Sequence, residues 1–301
     1  MPELPEVETV ANGVNDRIRA EVIESVWLSR YKEPFKTPPR PMADALTGTR
    51  IDRVRRVGKH IVFDLIRSGQ DQPTQDQPTN VDQPASVRRP NVHPNVHPNV
   101  QWTVHLGMTG RLLVSTADVP VPPHTHAILH LSSGRELRFV DARRFGRLAL
   151  HLPGRSGDGF QGPGREPLTI SAEDFAALFR HRRLPIKAAL LNQRLLHGVG
   201  NIYADESLFR AGIRPTRMAG RLTRERLARL HAGLQTVLRD AIRLGGSSVS
   251  DYVDADGAAG FFQLHHYVYM RTGQPCLTCG TPIRRTVIGG RGTHYCPTCQ
   301  R

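Results

Sequence analysis

The sequence predicts an α+β chain, with an amphipathic N-terminal helix over a β-sandwich and a helical region that ends in a four-cysteine hairpin. Three observations carry this expectation. Apolar residues recur at helical spacing over residues 3–20, apolar and polar residues alternate in several segments between 51 and 140, and helical spacing returns from about Ser171. With 301 residues the chain exceeds the usual span of one domain, so two domains are expected.

The first helix rests on Leu4, Val7, Val10, Val14 and Ile18, which form one apolar stripe that must pack on the strands expected after it. Those strands are expected at Ile51–Val57, His60–Ile66, Val100–Leu106, His126–Leu131 and Arg135–Val140, the alternation being clearest at Trp102, Val104 and Leu106. A sandwich capped by the first helix is the economical arrangement. Residues 70–99 interrupt the pattern with Gln-Asp-Gln-Pro and Asn-Val-His-Pro repeats; they hold six prolines and almost no large apolar residues, so a disordered insert between two strands is expected. His93 and His97 within it fit a solvated linker better than a metal site.

From Ser171 the period is helical. Ser171 and Asp174 read as a capping pair before Phe175, Leu178 and Phe179, and helices are expected over 186–195, 200–212 and 223–243. Leu227, Leu230, Leu234, Val237 and Ala241 mark the buried face of the last. Between two of these helices, Gly198-Val199-Gly200-Asn201 suits either a plain turn or a backbone nest that takes a phosphate. A Gly-, Ala- and Asp-rich loop is expected at 247–260.

Lys and Arg number 41 against 27 Asp and Glu, a formal charge of +14, which favours a polyanionic partner. No apolar run approaches the length of a membrane span, and the N-terminus lacks the order of a signal peptide. A cytoplasmic, nucleoid-associated protein that binds nucleic acid is therefore expected, and no membrane role.

The four cysteines form two pairs, Cys276 with Cys279 and Cys296 with Cys299. Two Cys-x-x-Cys knuckles on facing turns can set four thiolates tetrahedrally around one Zn²⁺. Four thiolates leave no open position for a water nucleophile, so the zinc is expected to be structural. Disulfides are the competing reading, disfavoured in a reducing cytosol.

The opening Met1-Pro2-Glu3-Leu4-Pro5-Glu6 supports two readings that composition leaves open. Removal of Met1 would expose a secondary amine at Pro2, able to attack a sugar aldehyde carbon and form an iminium, with Glu3 and Glu6 within a turn to move protons. Alternatively, Pro2 and Pro5 simply start a helix, where their missing N–H groups cost nothing.

Five motifs together resemble the bacterial formamidopyrimidine-DNA glycosylases: Pro2 to Thr9, His105-Leu106-Gly107-Met108-Thr109-Gly110, Asp141 to Gly146, Gly198 to Glu206, and the cysteine hairpin. They occur in order along nearly the whole chain, and only 70–99 has no counterpart in the family's usual pattern. The resemblance implies a β-sandwich domain with its catalytic helix over 1–155, a helix–two-turn–helix domain over 165–260, a zinc-finger hairpin over 261–301, and a DNA cleft between the domains. It implies that Pro2 is the nucleophile, that Glu3 handles protons at the sugar, that Lys59 serves the β-elimination and that Arg291 serves the δ-elimination.

The same resemblance assigns Met108, Arg143 and Phe145 to filling the void left by an everted base. It makes Asn201 and Lys187 lesion-side phosphate grips, with His105, His124 and Arg182 as further DNA contacts, Arg144 as either another contact or a structural anchor, and Glu6 and Glu206 as structural support; the run of Arg180, Arg182 and Arg183 also suits a plain solvated face. The implied activity is excision of oxidised purines, 8-oxoguanine and formamidopyrimidines, from duplex DNA, with abasic-site lyase chemistry, by a monomer carrying one structural Zn²⁺. Two other readings compete: an endonuclease VIII-type enzyme for oxidised pyrimidines, and a non-catalytic damaged-DNA-binding protein. The Leu-Pro-Glu-Val-Glu-Thr opening and the Met108, Arg143 and Phe145 set favour the purine enzyme over the first. A pure binder needs no terminal amine, which tells against the second.

Overall fold

The computed structural model describes residues 1–67, 100–151, 159–247, 254–258 and 260–301. The expected insert at 70–99 and half of the 247–260 loop lie outside the described residues.

Helix α1 (Leu4–Ile18) begins where Glu6, three residues in, accepts the N–H of Glu3 through its side chain at 2.8 Å. It ends at Arg19 and at Ala20, whose φ of 70° breaks the helical path. Its stripe is buried as expected, but in two directions. Val7, Val10, Val14 and Ile18 enter the sandwich core, whereas Leu4 belongs to the core of the helical half. The first turn of α1 therefore lies at the seam between the two.

After α1 come β1 (Ile23–Leu28), α2 (Pro39–Leu46), β2 (Thr49–Val57), β3 (His60–Arg67), β4 (Val100–His105), β5 (Arg111–Thr116), β6 (Thr125–Leu131), β7 (Arg135–Val140) and β8 (Arg147–His151). They form two antiparallel four-stranded sheets, ordered β1-β6-β7-β5 and β2-β3-β4-β8. Three of these strands and α2 were not expected. β1, β5 and β8 are sheet edges with few buried residues, so their alternation is weak. The prolines of α2 fall at its cap and first turn, where a missing N–H costs nothing, and Met42 and Leu46 make its buried contact.

β4 does not show the half-buried alternation expected of it. Val100 to Val104 are buried on both faces, because Gln101 and Thr103 point at polar partners rather than water. Gln101 donates to Asp64 at 2.6 Å and accepts the Phe160 N–H at 2.5 Å, so the segment entering the helical half is laid across this sheet.

The helical half contains α3 (Ala172–Phe179), α4 (Ile186–Leu190), α5 (Asn201–Arg210) and α6 (Arg224–Arg243), with Ser171 accepting the Asp174 N–H at 3.1 Å as a cap. The expected helix 186–195 stops at Leu190. Beyond it the Gln193 side chain accepts the Gly198 N–H at 2.9 Å and donates to the Val199 carbonyl at 2.8 Å, which folds 191–200 into a double turn. Leu195, Leu196 and Val199 stay buried there, which is why their spacing resembled a continuing helix.

The chain closes with a hairpin, β9 (Arg284–Ile288) and β10 (Arg291–Tyr295), turned by Gly289 and Gly290 at φ 56° and 73°. A two-residue turn with both φ positive matches the twist of the strands it joins, and glycine adopts it without strain.

Candidate active site

A cavity of about 440 Å³ opens where the first turn of α1, the β2–β3 turn, the 191–200 double turn and the hairpin meet. Pro2, Glu3, Lys59, Met108, Asn201 and Arg291, brought together from distant stretches of sequence, all line it.

The Glu3 carboxylate rests on the N-terminus of α5, accepting the Ile202 N–H at 3.2 Å and the Tyr203 N–H at 3.5 Å. Gly200 permits the approach, since a Cβ there would lie 2.2 Å from the Glu3 carboxyl carbon. Glu3 is 5% exposed, and burial pushes its carboxyl up to about 7 against the opposing pull of Lys59 and the two N–H groups. The group is therefore poised to exchange a proton near neutrality. Glu6 beneath it accepts N–H groups from Glu3 and Ser247, each at 2.8 Å, together with the Tyr203 hydroxyl.

Lys59 sits on the tight turn between β2 and β3, behind Gly58 at φ 62°. Burial lowers its pKa while the charges of Glu3 and Glu6 pull it back up. Arg291, the exposed first residue of β10, lies close enough to lower it further.

Beside the cavity, Met108 and Phe145 are 40% and 53% exposed, and the Arg143 guanidinium lies 4.9 Å over the Phe145 ring. Their two loops are tied by the buried Asp141, which accepts from the Thr109 hydroxyl at 2.6 Å and the Gly146 N–H at 2.7 Å. A Cβ on Gly107 would meet the Phe145 backbone at 2.5 Å. Large apolar side chains are thus presented to solvent from a tied pair of loops rather than buried in a core.

Several expected contacts lie elsewhere. Lys187, expected to grip phosphate, has its Nζ sealed in the interior: it pairs with Asp205 at 2.7 Å, both side chains fully buried, and donates to the Gly292 carbonyl and Thr293 hydroxyl at 2.9 Å. It braces the hairpin against α5 and presents no charge to a ligand. Asn201 also reaches the Gly292 carbonyl, at 3.0 Å, while lining the cavity. His105 accepts the Gly107 N–H at 3.1 Å, and burial with the neighbouring His60 and Lys59 pushes it down to about 4, so it is a neutral prop for the Met108 loop at pH 7.

Arg144 turns toward Tyr31 and Glu33, its guanidinium 5.0 Å over the tyrosine ring. Arg182 is exposed and donates to the Leu178 carbonyl; His124 is exposed at φ 66°. Glu206 accepts the N–H groups of Tyr267, Val268 and Tyr269 at 2.8 to 3.0 Å, which fixes the chain leading into the hairpin. Sequence reasoning missed Tyr203, Ser247 and Tyr269. Tyr203 lies inside the Gly198 to Glu206 motif; the other two carry no local signal.

The sulfurs of the four cysteines lie within 4.8 Å of one another, with Cys276–Cys299 at 4.0 Å and Cys279–Cys296 at 3.5 Å. Tetrahedral thiolates at about 2.3 Å from zinc stand about 3.8 Å apart, so the donor set fits the ion.

Family models match three consecutive parts of the chain: the formamidopyrimidine-DNA glycosylase N-terminal domain over residues 1–148, the H2TH domain of the same enzymes over 163–253, and a zinc finger found in FPG and IleRS over 273–301. The chain belongs to the formamidopyrimidine-DNA glycosylase family. A formamidopyrimidine-DNA glycosylase of Solibacter usitatus is 41% identical over the full length of both chains. Among solved structures, the Thermus thermophilus enzyme matches with a TM-score of 0.77 at 38% identity, covering 99% of this chain and 98% of its own. A Lactococcus lactis FPG mutant bound to Fapy-dG-containing DNA matches with a TM-score of 0.81 at 30% identity over both whole chains. The chain is accordingly a DNA repair glycosylase with the family's sandwich, helix–two-turn–helix and zinc-finger parts, and its four cysteines hold a structural Zn²⁺.

Replacing Cys296 with Ser is expected to remove the zinc and weaken DNA binding more than it unfolds the sandwich. The small core under the hairpin, centred on Val268 and Ile283, is separate from the sandwich core yet carries Arg291 to the cavity. Metal content, duplex binding and thermal melting of the variant check this. Full-affinity protein without zinc would refute it.

Proposed function

We propose that this chain excises oxidised purines, 8-oxoguanine and formamidopyrimidines, from duplex DNA and then cleaves the abasic site, acting as a monomer through an imine on Pro2. The observation that carries the proposal is the convergence of Pro2, Glu3 and Lys59 on one cavity beside an exposed Met108, Arg143 and Phe145 wedge.

Once Met1 is removed, the Pro2 nitrogen lone pair bonds to C1′ of an everted nucleotide, the glycosidic bond breaks, and the base leaves with a proton. Glu3, neutral in part near pH 7, gives its proton to the ring oxygen as the sugar opens, leaving an iminium at C1′. The iminium acidifies the C2′ hydrogen. Its removal expels the 3′ phosphate, loss of the C4′ proton expels the 5′ phosphate, and water releases the sugar fragment to restore the amine. The reading assigns Lys59 to the first elimination and Arg291 to holding the phosphate that leaves in the second, and their shared lining of the cavity supports it. The wedge fills the space of the everted base, with Arg143 toward the orphaned cytosine.

The lesion class rests on the family match and on the wedge residues, so the decisive measurement pairs chemistry with substrate. Borohydride trapping on duplexes with 8-oxoguanine opposite cytosine should give a covalent complex, in excess over a thymine glycol duplex. Digestion and mass measurement should place the adduct on Pro2. An adduct on Lys59 would overturn the mechanism, and preferential trapping on thymine glycol would overturn the lesion assignment.

A further inference from the structure

A second cavity, of about 650 Å³, lies between the segment after α5, the first turn of α6 and the last residue, and shares no lining residue with the lesion cavity. Arg214, Arg217, Arg221, Arg226 and Arg301 line it, and among the described residues no Asp or Glu side chain does. Among the described residues none of these five enters an ion pair, whereas Arg224 and Arg229 beside them pair with Glu173 and Glu225. Arg226 donates to the Arg301 backbone oxygen at 3.4 Å. The balance stays strongly positive.

Arg214 is held in place: its Nη2 donates to the Pro297 carbonyl at 2.9 Å and its guanidinium faces the Tyr295 ring at 5.9 Å. Its Nε is buried without a partner. The fixed guanidinium thus holds an uncompensated positive charge at the wall of the pocket. Arg217 and Arg221 stand exposed along the same segment. A row of exposed guanidiniums suits a run of phosphates better than a single enclosed anion.

The segment that carries these arginines is pinned beside α4, where the Ile186 N–H donates to the Arg217 carbonyl at 2.7 Å and the Lys187 N–H to the Pro215 carbonyl at 3.3 Å.

We propose that this arginine pocket is a second phosphodiester-backbone site, which holds DNA outside the lesion cleft and keeps the protein on duplex while it searches. The proposal rests on the DNA-binding reading above but on none of the catalytic residues.

The test is the triple variant Arg217→Ala, Arg221→Ala and Arg226→Ala, with Arg214 left intact because it is packed into the fold. Binding to a long undamaged duplex across a salt series is the readout. Three lost phosphate contacts should lower the slope of log affinity against log salt by about 2.7, at about 0.9 per contact. Nicking of a short lesion duplex that only fills the cleft should stay at the native rate. An unchanged slope on the long duplex would overturn the site. So would inorganic tripolyphosphate raising the Tm of the native chain, but not of the variant, with the slope unchanged, since the pocket would then take a compact anion. If the native chain failed to nick the short duplex, the glycosylase reading would fall while the slope still decided this one.

Discussion

Glu3→Gln is expected to lower excision of 8-oxoguanine by about 10²- to 10⁴-fold, the usual contribution of a positioned proton donor, while the variant still nicks a preformed abasic site. An amide keeps the shape of the side chain and accepts the Ile202 N–H at the head of α5, but it has no proton to give when the sugar ring opens. Elimination from an abasic site begins with an aldehyde already available to Pro2, so that half of the reaction bypasses the loss. Equal loss of both activities would make Glu3 structural or shared between the steps.

The raised pKa adds two signed expectations. As the donor, Glu3 must be neutral, so excision should fall as pH rises through about 7, and this falling limb should vanish in Glu3→Gln. For stability, a carboxyl whose folded pKa is raised from 4.5 to about 7 favours the folded state below 4.5 and loses that contribution as pH climbs toward 7. Charging it in the buried site is a cost that glutamine does not bear. Above pH 7 the variant should therefore melt no lower than the native chain and, if anything, higher. A stability gain alongside a catalytic loss marks a group retained for chemistry.

Residues whose role follows from their own type and spacing were legible in the sequence. The stripe of α1 and the two cysteine knuckles are of this kind, since helical period and metal-ligand spacing are local patterns. The gathering of Pro2, Glu3, Lys59 and Arg291 was legible only through resemblance, because nothing local in Gly58-Lys59 or Gly290-Arg291 says that the two turns meet. Strands β1, β5 and β8 escaped because each fully buries a single residue, too few to mark a face. Lys187 was read as a phosphate grip only through the family resemblance, and nothing local in its sequence announces that the fold sets Asp205 against it.

That pair carries the other large effect. Asp205→Ala is expected to destabilise the chain by about 3–5 kcal/mol, the cost of leaving a buried charge without its partner. Asp205 forms an ion pair with Lys187 through one oxygen at 2.7 Å and accepts the His294 backbone N–H through the other at 2.9 Å, so it joins α4, α5 and β10 at one buried point. Without it, Lys187 keeps only the Gly292 carbonyl and the Thr293 hydroxyl, two neutral acceptors for a full charge. The hairpin that carries Arg291 would loosen first, so strand cleavage after excision should suffer at temperatures where the sandwich is still folded. Changing both partners, Lys187→Met with Asp205→Leu, removes the orphaned charge and should recover most of the loss, as apolar replacements of buried pairs commonly do. Urea unfolding of the two variants separates the cases. If the double variant is no more stable than the single one, the pair contributes through its hydrogen bonds to the hairpin backbone, and the energy lies in the contacts to Gly292 and His294 rather than in the charge.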